Sequence, residues 1–362
     1  MAGPINVLVV DDAVVVRRMV SDVLDGDPDI HVAGTAANGR IALQKVKQSC
    51  PDIVTLDVEM PEMDGLETVR ELRKAFPRLP VIMFSTLTTR GAAATLDALA
   101  HGASDYVAKP ANVGSVSEAQ NRIREQLIPK IKTLCGRPTS TYMPLPKPQV
   151  VLKAHAPAAV TLPPDAVVIG VSTGGPNALA EVIPALPRDL AVPVAIVQHM
   201  PPVFTRTLAE RLNASSQVTV VEAEHGMVLK PGWVYIAPGG YHMTVQRDGV
   251  RVVALLNQQP PENFCRPSVD VLFRSAAAVY GSRLLGVILT GMGKDGLEGT
   301  DAIVARDGHV LAQDEASSVV WGMPGFVARA GLADAVLPLG LVAQEVARRC
   351  ATRAPMTIGG RA

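Results

Sequence analysis

The sequence predicts two doubly wound α/β units in tandem, the second carrying an antiparallel flank, and three observations lead there. Apolar runs of strand length recur along the chain and alternate with stretches whose apolar residues fall three or four apart. Several of those runs end on a residue with chemistry to offer, as strands of open parallel sheets do where a ligand sits at their carboxyl ends. Between the two units lies a stretch too rich in proline and too poor in acids to belong to either core.

The first unit is expected over residues 1–125. Its strand-like runs are 7–10, 31–34, 53–56, 81–84 and 106–108. Between them, sets such as Val15, Met19 and Val23, or Leu66, Val69, Leu72 and Phe76, read as helices that bury one face. The residues that follow the runs are Asp11 and Asp12, Asp57, Ser85 and Lys109. Three carboxylates at one sheet edge repel one another, and a hard divalent cation bound through oxygen relieves that repulsion, so Mg²⁺ is the expected guest. In that setting Asp57 is expected to attack a phosphoryl group, while the Ser85 hydroxyl and the Lys109 ammonium steady the transferred oxygens.

These residues sit in motifs: Asp11-Asp12, Leu56-Asp57-Val58-Glu59-Met60-Pro61, Phe84-Ser85-Thr86 and Ala108-Lys109-Pro110. The whole segment resembles the flavodoxin-like receiver domain of two-component response regulators. The resemblance implies phosphoryl transfer to Asp57 from a histidine kinase, with Mg²⁺ held by Asp11, Asp12, Asp57 and the Glu59 backbone carbonyl. It also makes Tyr106 a switch aromatic that follows the movement of Ser85.

A linker is expected over 126–162. Residues 126–159 hold five Lys or Arg, no Asp or Glu and six prolines, so they can bury little core. Ile123, Leu127, Ile131 and Leu134 carry a helical stripe into it, and Pro138, Pro144, Pro146 and Pro148 then favour extended chain. The basic segment and the apolar stripe are expected to help set the resting arrangement of the two units.

Composition excludes several classes of function. With 362 residues, 48% of them hydrophobic, the chain can bury more than one core. Its formal net charge is zero, and residues 160–362 hold 16 Lys or Arg against 17 Asp or Glu with no helix-turn-helix pattern, so nucleic acid is not an expected partner. Cys50, Cys135, Cys265 and Cys350 form no C-x-x-C pair, which argues against a disulfide framework or a zinc site and fits a reducing compartment. No apolar run approaches the roughly 18 residues of a membrane span, and the run at 7–10 leads straight into two aspartates, unlike a signal peptide. The expectation is a cytoplasmic protein without membrane insertion.

The second unit is expected over 163–350, followed by a tail, 351–362. Its runs at 167–169, 192–197 and 284–289 are nearly unbroken apolar, as strands covered on both faces are. Those at 218–221, 233–236, 242–245 and 250–256 are expected to make the antiparallel flank. Each buried run delivers a chemical group: Ser172 in the glycine-flanked turn Gly170-Val171-Ser172-Thr173-Gly174-Gly175, His199 in Gln198-His199-Met200-Pro201, and Asp295 in Thr290-Gly291-Met292-Gly293-Lys294-Asp295-Gly296. Side by side in one sheet, they supply the hydroxyl, imidazole and carboxylate of a serine hydrolase. His242 is a rival base, and Ser268 and Asp270 are rival nucleophile and acid, although Pro267-Ser268 before an apolar run reads more as a helix start. Cys265 has no paired base in view and is expected to be inert.

These motifs, with Ile236-Ala237-Pro238-Gly239, Arg266-Pro267-Ser268-Val269-Asp270 and Gly322-Met323-Pro324, resemble the catalytic domain of the CheB family of chemotaxis protein-glutamate methylesterases over roughly 163–348. The resemblance implies Ser172 as nucleophile, His199 as base and Asp295 as the acid that orients it, with Thr173 and the Met292 N–H holding the oxyanion. It implies methyl-accepting chemoreceptors as substrate, demethylation with deamidation of glutamines as a second activity, the chemotaxis histidine kinase CheA as phosphodonor, and no cofactor for the hydrolase. The receiver is expected to block Ser172 until Asp57 is phosphorylated. The competing readings are a DNA-binding output and a receptor-docking module or esterase with a different target.

Overall fold

The computed structural model describes residues 3–110, 115–136 and 162–351. In the first unit β1 (Ile5–Val10), α1 (Val14–Asp25), β2 (Ile30–Ala36), α2 (Gly39–Ser49), β3 (Ile53–Asp57), α3 (Gly65–Ala75), β4 (Val81–Ser85), α4 (Thr89–Ala100), β5 (Asp105–Ala108) and α5 (Val116–Leu134) alternate in chain order. All five strands are parallel in the order β2-β1-β3-β4-β5. Strands β3 and β4 are buried throughout, as strands covered on both faces are, and apart from Thr55 their polar residues, Asp57 and Ser85, stand at the carboxyl ends. Polar side chains start the helices: Asn38, Asp64, Thr88 and Ser115 each accept the backbone N–H three residues on. Helix α5 crosses residue 125, so the stripe through Leu134 is helix, while Pro138, Pro144, Pro146 and Pro148 lie outside the described residues.

The second unit runs β6 (Ala166–Val171), α6 (Gly175–Val182), β7 (Val194–Gln198), α7 (Phe204–Ser215), β8 (Thr219–Glu222), β9 (Met227–Val228), β10 (Trp233–Ile236), β11 (His242–Asp248), β12 (Arg251–Asn257), α8 (Val269–Tyr280), β13 (Leu284–Ile288), α9 (Leu297–Val304), β14 (His309–Gln313), α10 (Met323–Arg329), β15 (Ala335–Leu337) and α11 (Leu339–Cys350). Its main sheet is parallel, in the order β15-β14-β13-β6-β7-β10-β8. The antiparallel flank is a separate three-stranded sheet, β11-β12-β9.

Two of the runs assigned to that flank are therefore misplaced. β8 and β10 extend the parallel sheet beyond β7. β8 reads as a mixed run because it is the edge strand and only partly buried. β14 and β15 are strands that the sequence reading did not pick out; β15 has three residues, too few to show a period.

The chain leaves β6 toward β7 on one side and later returns through β13 on the other, so β6 lies at the switch point where a doubly wound sheet opens a crevice. Buried apolar residues of the two units form one continuous cluster. Within it Tyr106 stacks on Phe204, with ring centroids 4.9 Å apart and planes 10° from parallel. Among the described residues no helix is long and apolar enough to cross a membrane.

Candidate active site and phosphoacceptor site

Three strand ends meet at the switch point. Val171, the last residue of β6, pairs with Gln198, the last of β7, so Ser172 and His199 leave adjacent strands at the same level. The His199 N–H donates to Val171 O at 3.2 Å, and the Ser172 N–H to Thr290 O, beyond β13, at 3.0 Å. The turn after Ser172 closes through Gly174, whose φ of +77° suits glycine, and α6 starts at once. Gly291 is needed for another reason. A Cβ there would meet Met323 Sδ and come 2.9 Å from the Ser172 Cβ, so the β13 loop approaches the serine only without a side chain.

His199 Nε2 and Asp295 Oδ2 are 2.7 Å apart. Asp295 is buried, and the start of α8 receives it: the Val269 N–H donates to Oδ2 at 2.7 Å and the Asp270 N–H to Oδ1 at 3.1 Å. Ser268 Oγ and Asn263 Nδ2 also donate to Oδ1, at 2.8 and 3.1 Å. Burial works against this charge, but the His199 hydrogen bond and the helix N–H groups outweigh it and hold the carboxyl well below the usual range. Asp270 answers in kind at the start of α9, accepting the Gly296 and Gly299 N–H groups at 3.0 and 2.6 Å; its own pKa is raised by burial and by the charge of Asp295.

The rivals fall into structural places. His242 is buried, with Nε2 3.1 Å from Pro260 O and Nδ1 accepting the Ser268 N–H at 3.2 Å. Ser268 stands at the start of α8, as its helix-start pattern suggested, but its hydroxyl donates to Asp295 instead of capping the helix. Cys265 is a correction. It does have a base beside it: its Sγ is 3.6 Å from His199 Nδ1. Sequence spacing could not reveal a contact made across 66 residues of chain. Ser172 is half-buried, and among the described residues its Oγ makes no hydrogen bond to the ring. Burial alone would lower the His199 pKa, yet the charges of Cys265 and Asp295 overcome it and raise the ring to about 10.

The side chains of both residues named as oxyanion candidates reach the first unit. Thr173 Oγ1 donates to Asp105 Oδ2 at 3.0 Å, sharing that oxygen with Lys130 Nζ at 2.6 Å. Met292 Sδ accepts from Thr133 Oγ1 at 3.3 Å. Around this centre Asn177 Nδ2 donates to Leu99 O at 2.9 Å, and Arg211 pairs with Asp97 at 2.8 Å. The β5, α4 and α5 side of the first unit therefore covers the crevice.

At the far end of the first unit Lys109 Nζ bridges Asp11 and Asp57, at 2.8 and 2.7 Å. Carboxylate oxygens of Asp11, Asp12 and Asp57 lie within 4.8 Å of one another. Burial raises Asp57 to about 6; Lys109 opposes the rise and Asp11 adds to it. Crowded, partly desolvated oxygens of this kind fit a hard divalent cation. Glu59 lies two residues beyond β3, and its side chain pairs with Arg90 at 3.2 Å. Ser85 is buried with Oγ on Gly91 O at 3.2 Å, and Tyr106 is buried against Phe204.

Comparison with known proteins finds relatives of both units. Residues 167–346 match the CheB methylesterase family model and residues 7–121 the response regulator receiver domain. A protein-glutamate methylesterase/protein-glutamine glutaminase of Nocardioides sp. is 57% identical over 358 residues, spanning 98% of each chain. This chain belongs to the CheB methylesterase family. A relative of the same description from Trichodesmium erythraeum is 52% identical over 346 residues, 95% of this chain and 98% of its own. The crystal structure of the Thermotoga maritima CheB methylesterase catalytic domain matches 52% of this chain and 99% of its own, at 44% identity and a TM-score of 0.51. The chain is a receiver-bearing hydrolase of this family, and neither a DNA-binding output nor a docking module is favoured.

Sequence reasoning missed Asn263, the service of Ser268 to Asp295, and Asp105. The helix-start pattern Pro267-Ser268 was in view, and a carboxylate placed at that helix N-terminus was the signal it offered. Asp105 carries no such signal. It opens an ordinary strand, and its partner lies 68 residues away.

Proposed function

We propose that Ser172, His199 and Asp295 hydrolyse glutamate γ-methyl esters on methyl-accepting chemoreceptors, and that phosphorylation of Asp57 releases them to do so. Ser172 Oγ attacks the ester carbonyl while His199 takes its proton at Nδ1, the nitrogen that Asp295 leaves free. The Met292 N–H and Thr173 receive the oxyanion, methanol leaves, and water releases free glutamate from the acyl-enzyme. Glutamine side chains pass through the same tetrahedral intermediate, so deamidation is open to the same residues. The hydrolase needs no cofactor.

The observation that carries the reading is the 2.7 Å His199–Asp295 bond, at a strand end adjacent to the one that presents Ser172. The present arrangement is closed. A ring held at about 10 is protonated at neutral pH and cannot take the serine proton, and Thr173 is engaged by Asp105. Opening of the receiver frees Thr173 and lets the ring turn from Cys265 to Ser172. In the receiver, Asp11, Asp12, Asp57 and the Glu59 carbonyl would hold Mg²⁺, which when bound neutralises charge on the phosphoryl group. CheA is the phosphodonor, Ser85 and Tyr106 relay the change, and the protein works in the cytoplasm.

The test is release of labelled methanol from methylated receptor membranes. Native protein releases it after phosphorylation, and Ser172→Ala does not. Undiminished release by Ser172→Ala ends the proposal.

A further inference from the structure

Cys265 forms and breaks no bond in the reaction above, yet its place is closely specified. Residues 262–265 form a tight turn in which Glu262 and Cys265 exchange backbone hydrogen bonds at 3.1 and 2.9 Å. Asn263 and Phe264, between them, both take positive φ, 50° and 62°, a conformation that side chains other than glycine adopt at some cost. The Asn263 amide ties this turn to Asp270 at 2.8 Å and to Asp295 at 3.1 Å. The thiol is therefore held against the ring by the same network that holds the acid.

The spacing matches a metal-ligand pair. Zinc binds thiolate at about 2.3 Å and imidazole at about 2.0 Å, so two such ligands on a tetrahedral ion stand about 3.5 Å apart. Cys265 Sγ and His199 Nδ1 are 3.6 Å apart. A histidine that ligates zinc through one nitrogen gives its other N–H to a carboxylate, which orients the ring and raises its basicity. Asp295 already occupies that position at 2.7 Å. Ligand atoms of His199, Cys265 and Asp295 all lie within 4.8 Å of one another, and Cys265 is partly exposed, which leaves a route for the ion and for the waters that complete its shell.

We propose that His199 Nδ1 and Cys265 Sγ form an inhibitory site for Zn²⁺, with Asp295 bracing the opposite ring nitrogen. The ion takes the lone pair that must accept the Ser172 proton, so hydrolysis stops while it is bound. Thiolate and imidazole select zinc over magnesium, whose oxygen ligands lie in the receiver. Binding displaces the proton on His199 Nδ1 and takes the sulfur as thiolate, so protons are released and affinity weakens in acid. The inhibitory effect rests on His199 being the base; the binding does not.

Two measurements on the full chain test this. In the first, Zn²⁺ is titrated into the methanol-release assay with Mg²⁺ kept in excess, each protein being scaled to its own zinc-free rate. The native protein loses its rate to Zn²⁺ and regains it with EDTA, while Cys265→Ser needs about 10–100-fold more zinc, the scale of loss when a metal site is disrupted. Asp57→Asn, which alters the receiver's oxygen site, keeps the zinc sensitivity of its residual rate. In the second, Co²⁺ is added to Ser172→Ala, which has no turnover to confuse the reading. A thiolate-to-cobalt charge-transfer absorption appears, survives replacement of Cys50 and Cys135 by serine, and vanishes with Cys265→Ser. Equal zinc sensitivity of native protein and Cys265→Ser, or no such absorption in Ser172→Ala, overturns the site. Absorption without inhibition by zinc overturns the inhibitory role.

Discussion

If the receiver holds the hydrolase closed, a contact remote from both sites must set the basal rate. The Asp97–Arg211 pair is suited to this test: it joins α4 to α7 at 2.8 Å, and its side chains are 45% and 37% exposed. Neither residue bonds to Ser172, His199, Asp295 or Asp57. An exposed pair of this kind is worth about 0.2–1 kcal/mol. Reversing one charge with Asp97→Arg removes that attraction and adds a repulsion of similar size, about 0.4–2 kcal/mol in all. At about 1.4 kcal/mol per factor of ten, the open fraction and the unphosphorylated rate of methanol release rise roughly 2–30-fold. Added salt shrinks the difference, because exposed charges are screened. Combining Asp97→Arg with Arg211→Asp restores the pair and the low basal rate. An unchanged basal rate in Asp97→Arg, or a double exchange no quieter than the single one, refutes the closed-gate argument.

Other outcomes can be measured alongside. Asp295→Asn places an NH₂ group among donors from Val269, Asp270 and Ser268 and loses the charge facing His199; methanol release falls about 10⁴-fold, and thermal melts record about 1–3 kcal/mol of destabilisation. Gly291→Ala forces its methyl group against Met323 and the Ser172 Cβ, so the rate drops with a stability loss of about 1–3 kcal/mol, and an unchanged rate would mean the loop yields freely. The Asp57 carboxyl titrates at about 6 in the folded protein against a usual 3.8, so between these values the native state binds the extra proton. Stability therefore falls as pH rises through that window, by on the order of 2–3 kcal/mol. Melts with Mg²⁺ show the loss reduced above pH 6, and Asp57→Asn removes the dependence; a pH-independent melt in native protein contradicts the crowded-carboxylate reading.

The receiver and the hydrolase differ in how openly the sequence announces them. Runs such as 53–56 and 284–289 are legible because a strand covered on both faces is mostly apolar, and the residues in the turn that follows each run lie at the ligand side of the sheet. For that reason Asp57, Ser172, His199 and Asp295 could all be singled out from their places in the chain. The edge strand β8 was misread for the converse reason: half-exposed residues lose the continuous pattern and resemble a strand of an antiparallel flank.

The sequence by itself determined the two α/β units, the strand ends that carry chemistry, and the order of receiver before hydrolase. Only the tertiary structure decided the strand order of the second sheet, the reception of Asp295 by the start of α8, the hold of Asp105 on Thr173, and the thiol beside His199. The physical reason is range. Periodicity and turn chemistry act between residues a few positions apart, whereas these contacts join residues from 26 to 68 positions apart, and no local pattern encodes which distant partner a buried polar group will meet.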